Sequence, residues 1–227
     1  MRTFLLIGAA ALAALPALAQ AQTAAPAQFG VRAGLSRSVL DGLINQEADY
    51  RNDLHAGVFL RYRLSSRVAL QPELTFARQG YRSTKPYGVL PLESTTTMTY
   101  LNVPLLLKFY VGQVFNVQAG PQVGFLLGAR REGQLGWSFP PGTSEVNYIT
   151  GTEDAKSEFG TDAGLVVGLG ADLKNGLTFS ARANYGLKDI NHNAADQAFR
   201  KRIGIDGGIH TRTLEFSVGY AFGRGRK

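Results

Sequence analysis

The chain has 227 residues, with 27 glycines, 9 Tyr, 13 Phe and 1 Trp, no cysteine, and a formal charge of +7. Without cysteine there is no disulfide, no thiolate metal site and no lipid anchor at a processed cysteine. A basic balance invites nucleic acid, but an N-terminus built for export excludes nucleic acid and makes an anionic lipid surface the natural partner.

That N-terminus reads as a secretory signal. Arg2 supplies the positive start, Phe4 to Leu15 is unbroken apolar or small residues, Pro16 interrupts, and Ala19-Gln20-Ala21 fits the cleavage pattern. Cleavage after Ala21 gives a signal peptide at 1–21, a short linker at 22–28, a main body at 29–222 and a basic tail at 223–227.

Eight segments of alternating apolar and polar residues follow, at 29–35, 55–64, 68–78, 97–110, 115–127, 159–173, 177–188 and 211–222. The gaps between them run 19, 3, 18, 4, 31, 3 and 22 residues, so long loops gather at one end and short turns at the other. Mean hydropathy is only −0.06, which is no objection, because every second residue of a membrane strand faces away from lipid. The fold expected is an all-β, eight-stranded antiparallel up-and-down transmembrane β-barrel of the bacterial outer membrane, monomeric, with both termini in the periplasm. A soluble, lipocalin-like barrel would need the opposite placement of charge.

In each segment one face is apolar, as in Leu101, Val103, Leu105, Leu107 and Phe109, and none of these faces carries a charge. Aromatics near the segment ends form two girdles, with Tyr62, Phe109, Phe115, Phe179, Tyr220 and Phe222 toward the turns and Phe76, Phe125, Phe159 and Tyr185 toward the loops. The opposite faces hold Arg32, Arg61, Arg63, Lys108 and Arg182 against Glu73, Asp162, Asp172 and Glu215. An eight-stranded barrel has an interior only wide enough for side chains, so this near-balanced set predicts a salt-bridged plug rather than a conducting pore. The Lys174-Asn175-Gly176 turn supplies the positive φ of a tight hairpin. Pro72, Pro104 and Pro121 fall inside expected strands, where a missing N–H should break the ladder.

The prolines sit in the most distinctive strings of the chain: LQPELTF (70–76), YLNVPLLLKF (100–109), VQAGPQVGFLL (117–127), TDAGLVVGLGADL (161–173) and RANYGL (182–187). In this order they resemble the PorT-like outer-membrane β-barrel family of Bacteroidetes. The resemblance covers essentially all of 29–222. It implies an eight-stranded barrel in which such prolines are habitual, and little about activity. The basic tail after Phe222 departs from barrels that end on an aromatic, which bears on recognition by the outer-membrane assembly machinery, an expected partner.

No phosphate loop, dinucleotide fingerprint or zinc spacing is present, so no catalytic residue, cofactor or metal is expected, and the chain does not read as an enzyme. His55, His192 and His210 lie in or beside the long loops and read as ordinary loop histidines. The loops are where function concentrates. Arg130 and Arg131 open the third loop, and Arg200, Lys201 and Arg202 lie in the fourth, where 192–202 has helical character. Together these five form a candidate basic collar for lipopolysaccharide. Three roles stay open: a structural or surface-interaction barrel, a small pore or secretion-associated barrel, and a lipid-modifying enzyme.

Overall fold

The computed structural model describes residues 27–44, 47–87, 90–143, 145 and 147–222. The expected signal peptide 1–21, all but the last two residues of the linker 22–28, and the basic tail 223–227 lie outside the described residues. The strands are β1 (Gln28–Asp41), β2 (Glu47–Arg63), β3 (Val68–Tyr87), β4 (Leu90–Val111), β5 (Phe115–Ser138), β6 (Asn147–Asp154), β7 (Asp162–Asp172), β8 (Leu177–Gly186) and β9 (His210–Phe222). Among the described residues one helix, α1 (Ala194–Arg202), lies in the last long loop, and a 3-10 turn spans Lys156–Glu158.

Eight strands close a ring in the order β1-β2-β3-β4-β5-β7-β8-β9, each antiparallel to its neighbours. The ends of the chain seal it, with β1 and β9 paired from Phe29↔Phe222 to Asp41↔His210. The alternation read in the sequence becomes inside and outside: Leu214, Phe216, Val218 and Tyr220 of β9 are exposed, whereas Thr213, Glu215 and Ser217 between them are buried. At the turn end Phe29 stacks on Phe222 at 5.9 Å and Tyr220 meets Phe222 edge-on at 5.1 Å, forming part of one aromatic girdle. Gly176 closes the β7–β8 turn at φ 96°, the positive value expected there.

The prolines are accommodated by a shared seam. The β2–β3 ladder is interrupted at Pro72, between Phe59↔Glu73 and Tyr62↔Leu70. The β3–β4 ladder is interrupted at Pro104, between Pro72↔Leu105 and Thr75↔Asn102, and the β4–β5 ladder at Pro121, between Pro104↔Gln122 and Leu107↔Ala119. Each proline thus sits where its strand loosens from the one before it, and the lost donor removes no bond the barrel uses.

Three features depart from expectation, all at the loop end. β3, β4 and β5 run well past the apolar band, and the 31-residue gap at 128–158 contains β6, which pairs only with the upper part of β5 among the described residues. The inner faces of β3 and β4 stay buried there, at Tyr81, Ser83, Thr96 and Met98, but both faces of β6 are exposed, so the alternating pattern that marks a lipid-facing strand has no reason to appear in it. Phe159, expected in the outer girdle, instead turns into the barrel mouth, bridged to Asn191 and buried. His55, expected as a loop histidine, lies within β2 and points into the bore, 3% exposed.

Candidate functional site

The barrel interior is built by inward positions of all eight strands of the ring, and register decides which charges meet. Glu73 of β3 is the hub. Its carboxylate accepts from Arg32 Nη1 of β1 at 2.6 Å and from both Nη atoms of Arg182 of β8 at 2.8 Å, a two-pronged contact. Arg32 also donates to Glu215 at 2.9 Å and to Ser217 at 2.6 Å, and Asn184 donates to the other Glu215 oxygen at 2.7 Å. Toward the turn end Asp172 accepts from Arg61 (3.0 Å), Lys108 (2.8 Å), Tyr110 (2.7 Å) and Asn116 (3.1 Å). Gln71 joins the two halves, accepting from Arg61 Nε at 2.7 Å and donating to Glu73 at 2.6 Å. Charges held in this way, each with several hydrogen-bond partners, offset the cost of leaving water.

Of the nine charges expected inside, seven therefore form one network: Arg32, Arg61, Lys108 and Arg182 with Glu73, Asp172 and Glu215. Arg63 stands apart at the turn end, its guanidinium 4.0 Å from the centre of the Tyr110 ring. Asp162 stands apart at the loop end, accepting from the Thr211 hydroxyl at 2.5 Å. The sequence reading missed the neutral members, Gln71, Gln118, Asn184, Ser217 and His55. Their signal was strand parity: Gln71, Asn184, Ser217 and His55 each share the inward face of their strand with a network charge, and Gln118 lies on the polar face of β5. His55 Nε2 lies 3.2 Å from Arg32 Nη2 and 2.7 Å from Ser217 Oγ. Arginine can only donate, so Nε2 accepts, and Ser217 Oγ, already accepting from Arg32, donates to it as well. This is a serine–histidine contact, but its serine proton serves the network and its location is the closed bore.

The bore holds a void of about 10 Å³ beside Arg32, Arg61, Lys108 and Arg182, room for about one water. Above the network an apolar layer closes the mouth. Leu40, Tyr81, Met98, Tyr100, Phe159, Ile190 and Ile209 pack together and are buried. The Tyr100 hydroxyl donates to the Gly160 carbonyl at 2.8 Å, tying this layer to the loop that crosses it.

The five residues of the expected collar fall into two groups. Arg131 is held by Glu153 (2.6 Å) and by both carboxylate oxygens of Glu158 (2.9 Å each). Arg200 is 5% exposed and binds Asp196 (2.6 Å), the Gly207 carbonyl (2.8 Å) and the Gly42 carbonyl (2.7 Å), locking α1 to the first loop. Arg130, Lys201 and Arg202 are exposed. Loop carboxylates that fold back onto Arg131 and Arg200 explain the division.

The family described as outer membrane protein beta-barrel domain matches residues 19–191. No curated protein sequence matches the chain. Among solved structures, the chain is similar to Neisserial surface protein A, with 12% identity and a TM-score of 0.50 over 87% of this chain and 99% of that one. It is also similar to Ail of Yersinia pestis, solved with the heparin analogue sucrose octasulfate, at 11% identity and a TM-score of 0.45 over 86% and 99% of the two chains. OprG of Pseudomonas aeruginosa shows 15% identity and a TM-score of 0.41 over 86% and 95%. At such identities likeness speaks for the fold alone.

Proposed function

The chain belongs to the outer membrane protein beta-barrel domain family, and from that premise we propose that it is a sealed barrel whose work is done at the cell surface by its loop end. The protein is an outer-membrane β-barrel. One observation carries the proposal: the bore is filled and capped, while β3, β4, β5 and β6 project as a sheet beyond the apolar band. By the general rule for such barrels, the end with long loops faces outside. A barrel that invests its interior in salt bridges and its surplus strand length in an external sheet is suited to presenting a surface.

The partners in this reading are outer-membrane lipid, including lipopolysaccharide, and the assembly machinery that inserts the barrel, which acts as a monomer. Within the family we place the chain with the PorT-like barrels, on its proline-bearing strings. We propose no catalysis: the His55–Ser217 contact is enclosed in the bore, and both groups serve Arg32.

The test is crosslinking on intact cells, comparing the wild type with a variant in which 134–152 is replaced by a tight Asn-Gly turn. The proposal expects crosslinked surface species from the wild type that disappear in the shortened variant, with the barrel still folded. Identical species from both would contradict it.

A further inference from the structure

We propose that the outer face of β3, β4 and β5, just beyond the apolar band, is a binding bay for the phosphate of an outer-leaflet glycolipid, with Arg78 and Arg130 as its cationic walls. Strand register defines the bay row by row. The last paired lipid-facing row is Phe76↔Leu101↔Phe125, with both phenylalanines about half exposed, and the exposed Leu127 bulges from β5 just beyond it. The next row outward is Arg78↔Thr99↔Gly128, then Gly80↔Thr97↔Arg130, then Arg82↔Thr95↔Glu132.

The two central rows form a checkerboard. Arginines occupy one diagonal and glycines the other, with the hydroxyls of Thr97 and Thr99 between them. A side chain at Gly128 would meet open space, with no atom within 4 Å, so the surface across Thr99 from Arg78 is unobstructed. β3 and β5 are two strand spacings apart, about 9.6 Å, and the two arginines are offset by one row, about 6.8 Å, so their backbones stand about 12 Å apart on the diagonal, a span that two extended arginines close onto one anion. Guanidinium forks and hydroxyl donors suit phosphate oxygens. Arg51 reaches the same spot, donating to Thr97 Oγ1, though it is also paired with Asp53 at 2.9 Å. Three carboxylates border the bay: Glu132, whose contact with Arg130 is loose at 3.7 Å with both side chains more than half exposed, Asp154, paired across from Arg130 on β6, and Asp53, which interacts with Arg78 as well as Arg51.

Position selects the ligand. Phe76 and Phe125 mark where hydrocarbon ends, so a group one pleat farther out meets the headgroup layer, and a phosphate there arrives attached to acyl chains lying against those rings. The bay keeps only Arg130 from the collar expected in the loops, of which Arg131 and Arg200 are internally bound. The proposal rests on the loop end facing outside but not on a sealed bore, so a conducting barrel would leave it standing.

The test is native mass spectrometry of the detergent-solubilised protein with bisphosphorylated lipid A, with enzymatically dephosphorylated lipid A, and with inorganic phosphate as competitor. Wild type should prefer the bisphosphorylated form by at least about tenfold, the yield of one or two charge-assisted bonds. Arg78→Ala combined with Arg130→Ala should abolish that preference. Gly128→Glu, which places a carboxylate in the open space there, should do the same while keeping the heat-shifted gel mobility of a folded barrel. Lys201→Ala with Arg202→Ala should stay within about twofold of wild type, as exposed loop charges do. Retention of the preference by the Arg78/Arg130 variant, or equal loss in the loop control, would overturn the proposal. Displacement of the lipid by low-millimolar inorganic phosphate would overturn it too, by marking a free-anion site.

Discussion

Glu73→Gln is the sharpest perturbation of the interior. The substitution keeps shape and one acceptor oxygen but removes the charge that Arg32 and both Nη atoms of Arg182 share. Arg32 retains Glu215 and Ser217, whereas Arg182 is left with Gln118 at 3.0 Å. The network's four positive and three negative charges become four and two. Breaking a buried pair by removing one partner costs about 3–5 kcal/mol, and the retained acceptor places this case near the lower end, at about 3 kcal/mol. For a chain of this size each kcal/mol moves the melting midpoint by about 2–4 °C, so a fall of about 6–12 °C is expected. The assay is equilibrium urea unfolding in lipid vesicles, followed by far-ultraviolet circular dichroism and checked by heat-dependent gel mobility. Arg63→Ala is the internal control, since it loses only a ring contact worth about 0.5–1 kcal/mol. If Glu73→Gln lies within about 1 kcal/mol of the wild type, an exposed pair's worth, the charges inside are not an energetically coupled network.

Other expectations follow the same geometry. Leu105→Arg, on the outward face of β4 in mid-strand, should cost about 2–4 kcal/mol in vesicles if that face meets lipid, and no loss would deny it. Gly176→Val forces a β-branched residue to φ 96° and should cost about 1–2 kcal/mol, seen as slower refolding or a lower urea midpoint. Surface protease on intact cells should cut near 139–143, at the tip between β5 and β6, and spare the 65–67 and 174–176 turns. Cleavage at the turns would invert the orientation.

The walls of the barrel were legible because lipid outside and a polar bore inside impose opposite demands on neighbouring residues. Leu214 to Phe222 alternate without exception, and so could be read directly. Where the strands leave the membrane that demand lapses, and β6, with all eight residues exposed, carries no periodic signature. The inward charges were readable as a set, but their partners depend on register: Glu73 meets Arg182 across 109 residues of sequence, and nothing local announces it. Phe159 was misplaced because an apolar residue looks alike whether it faces lipid or the underside of a loop. Arg200 was misplaced because its three acceptors, two of them backbone carbonyls, are supplied by loop conformation. The arginines flanking Thr97 and Thr99 were visible as residues and invisible as a bay, since only the ladder brings Arg78 and Arg130 to one strand.

Single-channel recording in planar bilayers tests most directly whether the bore is both filled and capped. Purified wild-type protein, with insertion verified by its heat-shifted mobility, should give no stable stepwise current over a range of voltages and salt. Reproducible unitary steps that scale with protein added would contradict it, because ions would then be passing where Glu73, Asp172, Arg32 and Arg182 are held together beneath the Tyr100 and Phe159 layer.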